Sequence, residues 1–202
     1  MLTVQILKCQ GCGANLSPNN SICEYCKSEN IVKTEKDPFK LDKKLTKQYS
    51  NYYKCKAKEN PTDAEAIYSL GLFYLKLKLY DLAISNFKNA ITLTPDEADL
   101  YYYYALSLIK GRRIKTLTFK EIKIIEEYLN TAIQLEDKAS YYYLSALIKY
   151  DYYRANGLMS NGSSYSELIT EAKECYSDQD ELNVLLENII TNNELLNLIN
   201  NK

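Results

Sequence analysis

Histidine and tryptophan are absent from the 202-residue chain, and proline and glycine occur only 4 and 6 times. The missing histidine excludes a Ser-His-Asp triad, a Cys-His nucleophile pair, an HExxH zinc protease and any imidazole-ligated metal. Each of these needs a ring nitrogen that titrates near neutrality or binds the ion. The few glycines form neither GxxxxGK nor GxGxxG, so no phosphate-cradling loop is present. No apolar run approaches the ~18 residues of a membrane span. The start, MLTVQILKC, lacks the apolar core of a signal peptide, so a cytoplasmic protein without a membrane partner is expected. A strong charge of one sign is missing too. The net charge is −1, made of +3 over residues 1–48, +2 over 49–164 and −6 over 165–202. None of these segments has the basic excess of a dedicated duplex binder.

What is present in unusual measure is tyrosine, 20 residues, and cysteine, 6. Tyrosine is frequent together with Lys, Asn and Ile, which leaves coding bias and a selected aromatic surface both open as its source. Four cysteines fall in two CxxC pairs, Cys9-Gln10-Gly11-Cys12 and Cys23-Glu24-Tyr25-Cys26, ten residues apart. A CxxC turn points both sulfurs at one ion, and ten residues suffice to bring the second turn opposite the first. Gly13 stands where the chain turns away and a positive φ is often needed. In a reducing compartment such a set argues for metal before disulfides. Four thiolates in tetrahedral order select zinc, with iron the lesser option. A redox dithiol comes once, after a strand and opening a helix, and does not fit a facing pair. Val4 and Ile6 before the first pair, and Ile31-Val32 after the second, predict short flanking strands. Residues 1–33 thus resemble the zinc-ribbon family, which implies one structural Zn2+ held by Cys9, Cys12, Cys23 and Cys26. So small a module cannot bury enough apolar surface to fold alone, so the metal serves as its core. The charged stretch 34–44, with Pro38, reads as a linker.

Residues 45–202 read as helical. A first helix runs toward Lys58 and is stopped by Asn60-Pro61. Within 64–97 two helical runs break near Leu79-Tyr80-Asp81, with Gly71 and Ala83 at the expected crossing, Leu70, Tyr74, Leu82 and Phe87 filling around them, and Ala90 and Pro95 following. This pattern resembles the tetratricopeptide repeat (TPR), with Ile67 in place of the family's Trp. A second copy starts at Ala98 with Tyr101, Tyr104, Ala105 and Leu108. It is interrupted from Lys110 to Thr118 and resumes with Ile125, Leu129 and Ala132. A weaker third copy contains Tyr141-Tyr142-Tyr143, Ala146 and Tyr150. Helices near 165–176 and 179–190, and a last short one over 191–202, are expected to cap the stack, because repeat arrays need ends that do not keep stacking. The predicted fold class is therefore mainly α: a TPR-like helical-hairpin solenoid with a small N-terminal β zinc ribbon.

The TPR resemblance implies a concave face lined by first helices. Carried over position by position, its partner-binding residues are Glu65, Tyr68, Leu72, Leu75 and Lys76, then Asp99, Tyr102, Leu106, Ile109 and Lys110. Tyr68 and Leu72 stand where the chaperone-binding subgroup has Lys and Asn, which argues against capture of a chaperone tail. A shell of four thiolates leaves no open position for catalysis. Cys55 and Cys175 read as buried packing residues, and Glu126-Glu127 and Glu136-Asp137 as solvated carboxylates. No enzymatic role and no small-molecule substrate are expected. The reading is a protein–protein interaction adaptor or scaffold that takes a peptide or helix of another protein in an aromatic groove, with the ribbon as a second docking surface. The alternative is nucleic-acid association through the ribbon and the basic 110–120 loop, which holds Lys110, Arg112, Arg113, Lys115 and Lys120. Zinc on four thiolates is a net −2, which leaves the first 48 residues at about +1, a poor phosphate footprint.

Overall fold

A computed structural model describes residues 4, 6–9, 11–16, 22–28, 33–35, 38–175, 179–189 and 199. It divides after Pro95 into two compact units, Met1–Pro95 and Asp96–Lys202. The sequence reading divides the chain instead into ribbon 1–33, linker 34–44 and helices 45–202; within the first unit the cysteine module is tied to the first helix. β1 (Ile6–Lys8) pairs antiparallel with β2 (Lys33–Glu35), so the ribbon reaches two residues past 33. After a short turn at Pro38–Lys40, Asp42 caps α1 (Lys43–Glu59) by accepting the Leu45 amide at 2.8 Å. Buried Thr46, Tyr49, Ser50 and Tyr53 give α1 one packed face. From it, the Tyr49 hydroxyl accepts the Leu7 amide at 2.7 Å and donates to the Leu16 carbonyl at 2.8 Å.

Asp63 caps α2 (Ala64–Lys76), which pairs with α3 (Tyr80–Leu93). Gly71 permits that approach: a Cβ there would stand 2.7 Å from Cε1 of Phe87. Ala83, Phe87 and Ala90 are fully buried, whereas Leu82 is 47% exposed. Leu82 is thus not among the residues filling the crossing, since one residue before Ala83 means about 100° around the helix. α2 ends with Lys78 in the left-handed region and the Leu79 amide donating to Tyr74. On the other face of α2, Phe73 stacks on Tyr49 and Tyr53 of α1.

In the second unit α4 (Ala98–Ile109) pairs with α5 (Phe119–Leu135). The insertion between them is folded inward, with Ile114 and Leu117 buried, and it ends in a capping box of Thr118 and Glu121. α6 (Ala139–Ile148) continues as a π-helical turn over Lys149–Arg154 and pairs with α7 (Tyr165–Glu174), which opens on a second capping box of Ser164 and Glu167. α8 (Gln179–Asn188) packs on α6 and α4. The helix expected over 191–202 lies outside the described residues, apart from buried Ile199. The chain is mainly α, three consecutive helix hairpins of TPR-like build with a single two-stranded sheet among the described residues.

Candidate metal centre and partner-binding face

The four expected ligands converge. The sulfurs of Cys9, Cys12, Cys23 and Cys26 all lie within 4.8 Å of one another, with Cys9–Cys26 at 3.4 Å and Cys12–Cys23 at 3.7 Å, and none is in a disulfide. The edge of a tetrahedron with metal–sulfur bonds near 2.3 Å is about 3.8 Å, so the donor set fits zinc in size and in softness. Two like turns build it. The Gly13 amide donates to the Cys9 carbonyl and the Lys27 amide to the Cys23 carbonyl, and Gly13 and Lys27 both take positive φ, 72° and 60°. Gly13 is the turn residue its position predicted. Lys27 holds the same conformation with a side chain, at a cost. The Ser28 hydroxyl lies 3.0 Å from the Cys26 sulfur and 3.5 Å from that of Cys9. That hydroxyl and the backbone at Cys12 pull the Cys9 thiol down to about 6. At Cys12 a backbone hydrogen bond at Ala14 pulls down, but neighbouring thiols and burial push the group up to about 12. Thiols so close cannot all ionise alone, a conflict that a dication removes. A Cβ at Gly11 would stand 3.1 Å from the Ser28 hydroxyl, a tight approach, and at ordinary contact distance, 3.5 and 3.7 Å, from the sulfurs of Cys26 and Cys9.

The ten expected partner-binding residues divide by burial. In the first unit Tyr68, Leu72 and Leu75 are 5%, 3% and 0% exposed, and Glu65 is half-buried. The Lys76 ammonium is held by the carbonyls of Pro38 (3.1 Å), Phe39 and Leu41. In the second unit Tyr102, Leu106 and Ile109 are buried and Lys110 is exposed at the end of α4. Asp99 accepts hydrogen bonds from Lys138 at 2.9 Å and from the Tyr141 hydroxyl at 2.6 Å. The Tyr102 ring sits 4.9 Å from that of Tyr141, and among the described residues its buried hydroxyl has only a weak interaction with Ser140. Beside them Glu181 of α8 accepts from Ser140 at 3.0 Å and lies 4.0 Å from the Lys138 ammonium. Burial lowers the pKa of Lys138, but the carboxylates of Asp99, Glu181 and Glu136 outweigh it and hold the ammonium charged. Burial above all, then the charges of Glu181 and Asp99, pushes the Tyr102 hydroxyl upward, against a weaker downward pull from a hydrogen bond with Ser140. α8 thus occupies the side of the second unit on which Asp99 and Tyr102 lie.

Three side-chain expectations change. Cys55 is exposed, on the side of α1 away from Tyr49 and Tyr53, and Cys175 is half-buried, so neither is a core residue. Glu126, expected to be solvated, is 14% exposed; it takes Lys149 at 3.2 Å, Lys123 at 2.9 Å and the Tyr153 hydroxyl at 2.8 Å. Burial raises its pKa, but those donors prevail and the net direction is down. Sequence reasoning missed this group because the partners at 149 and 153 come from another hairpin. The basic loop is split: Arg112 is spent on Glu121 at 2.6 Å, while Lys110, Arg113, Lys115 and Lys120 are exposed.

No protein-family model matches the chain. Over 92 residues, 46% of its length, it is 29% identical to the peroxisomal targeting signal receptor of Candida albicans, of which it spans 16%. Among solved structures, the crystal structure of MamA superposes with a TM-score of 0.52 at 22% identity, over 65% of this chain and 69% of that one. The MamA RS-1 ArsTM double mutant gives 0.51 at 18%, over 64% and 65%. No described helix is long and apolar enough to cross a membrane. At these identities the likeness is one of architecture: the chain has the TPR-like helical-hairpin fold.

Proposed function

We propose that the protein is a non-enzymatic, cytoplasmic adaptor that binds a helix of a partner protein on the first-helix face of its hairpins. A zinc ribbon, with one structural Zn2+ on Cys9, Cys12, Cys23 and Cys26, serves as a second docking surface. The observation that carries this reading is α8. It lies against α4 and α6 with Leu182, Val184 and Leu185 buried and Glu181 at Ser140 and Lys138, so that part of the face already holds an amphipathic helix. A partner helix with an acid followed by apolar residues would use the same donors. The buried Tyr102, Leu106 and Ile109 become available to it as α8 leaves.

The test is capture from host extract by the full chain and by a Glu181→Lys variant, which sets a cation against Lys138 and loosens α8. The variant is expected to capture more partner, and a synthetic peptide of residues 177–202 to displace it. Equal capture by both chains, or no displacement, refutes the reading. Binding that collapses between 50 and 200 mM salt would transfer the role to the exposed cations of the 110–120 loop and a phosphate backbone.

A further inference from the structure

The loops that join α4 to α5 and α6 to α7 meet at one end of the second unit, where the Asn156 side-chain amide donates to the Lys115 carbonyl at 3.4 Å. Both display large apolar side chains on a fixed backbone. Gly157, at φ 65°, closes the π-helical turn: its amide donates to the Arg154 carbonyl, and the Leu158 amide to that of Tyr153. The apolar residue after such a cap frequently folds back onto its own helix. Here Leu158 is 46% and Met159 is 96% exposed. On the neighbouring loop the capping box of Thr118 and Glu121 fixes Phe119, 56% exposed, in the first turn of α5. The charge around these three is of one sign. Arg113, Lys115, Lys120 and Arg154 are exposed. Glu121 is the one acid of residues 110–121 and is taken by Arg112, and residues 154–166 hold none. Duplex phosphates would pair the cations but leave aliphatic Leu158 and Met159 without cover. An anionic bilayer surface answers both, because side chains projecting from loop tips enter the headgroup layer while cations face its charge. The expected lack of a membrane partner rests on spanning and leader segments, which peripheral contact does not need.

We propose that this end of the second unit docks on an anionic phospholipid surface, with Phe119, Leu158 and Met159 entering the headgroup layer. This contact is independent of the exchange of α8, and no partner protein enters its test. The test is sedimentation of the full chain with vesicles of phosphatidylcholine alone and with about 30% phosphatidylserine added. The mixed vesicles are expected to bind roughly tenfold or more tightly than the neutral ones. Replacing Arg113, Lys115 and Lys120 together by Ser should weaken that binding about fivefold for each cation, roughly a hundredfold in all. Phe119→Ser with Met159→Ser should cost roughly tenfold with every cation in place. Melting temperatures should not change, since all five side chains are exposed. The chain lacks tryptophan, so Met159→Trp puts a single reporter at the tip, and its emission should shift to the blue on the mixed vesicles. An unshifted emission in sedimenting protein, or a Phe119/Met159 variant that binds like wild type, would assign the surface to polyanions in general and overturn insertion. Equal binding to both kinds of vesicle would remove the cations from the contact and overturn the selection of anionic lipid. No sedimentation with either would refute the membrane contact and leave the patch to an acidic protein.

Discussion

Gly71 offers the sharpest test of the hairpin geometry. A Cβ at this position would stand 2.7 Å from Cε1 of Phe87 and 3.0 Å from Cδ1 and Cζ, where carbon atoms ordinarily approach no closer than about 3.5 Å. The ring must therefore withdraw by roughly 0.5–1 Å. It has little room, being fully buried between Ala83 and Ala90 on its own helix and 6.3 Å from the Tyr68 ring. Overpacking of this kind costs about 1–3 kcal/mol. Gly→Ala returns about 1 kcal/mol of helix propensity, so Gly71→Ala is expected to destabilise by about 0–2 kcal/mol. Gly71→Leu adds three more carbons for almost no further propensity and belongs at about 3 kcal/mol. In a chain of this size that is a fall of roughly 6–12 °C in melting temperature. Guanidinium unfolding followed by circular dichroism gives the midpoint and slope. Pairing Gly71→Leu with Phe87→Leu should recover about 1 kcal/mol through their coupling. A Gly71→Leu protein with the wild-type midpoint and slope refutes the close crossing.

The purified protein is expected to carry one zinc per chain by elemental analysis, to lose it on Cys→Ser at any of Cys9, Cys12, Cys23 or Cys26, and on chelation to unfold the ribbon while most helical signal remains. Tyr49→Phe strands the Leu7 amide and the Leu16 carbonyl together, so a loss of about 1–3 kcal/mol is expected, with faster metal loss to a chelator. Glu126 has a lowered pKa, so its contribution is present above the usual glutamate value of 4.5 and disappears as pH falls through the lowered one. Glu126→Gln should cost about 1–3 kcal/mol at pH 7 and flatten that acid limb, read as melting temperature against pH.

Local chemistry made the four-cysteine cluster and the helix hairpins legible, because CxxC spacing and small residues at fixed intervals state their purpose within 34 residues. Gly71, Ala83, Phe87 and Ala90 could be placed from the repeat pattern alone, as could the turn at Gly13. What stayed hidden depends on distant parts of the chain. Glu126 has the sequence surroundings of a solvated helix carboxylate, and only the approach of the Lys149–Arg154 turn makes it a buried ion-pair centre. The insertion from Lys110 reads as a basic loop, yet Ile114 and Leu117 anchor it in the core and Arg112 is neutralised by Glu121. Lys27 in a left-handed turn has no sequence signal, because the equivalent residue in the first turn is the glycine that such a turn prefers.

The partner-binding positions carry the deeper lesson. Tyr68, Leu72, Leu75, Tyr102, Leu106 and Ile109 are apolar at positions that the TPR resemblance implies face solvent, and apolar side chains in water must find cover. A partner supplies it in a complex. In the second unit the chain supplies it with α8, whose Glu181 satisfies Ser140 and faces Lys138 as a partner's carboxylate would. Yet the fit is incomplete, since among the described residues the buried Tyr102 hydroxyl has only a weak interaction with Ser140 beside it. A helix that brought an acceptor to that hydroxyl would remove a penalty that α8 leaves in place. This difference in affinity is what an exchange of α8 for a partner requires, because a ligand displaces an internal segment only by as much as it binds the open state better.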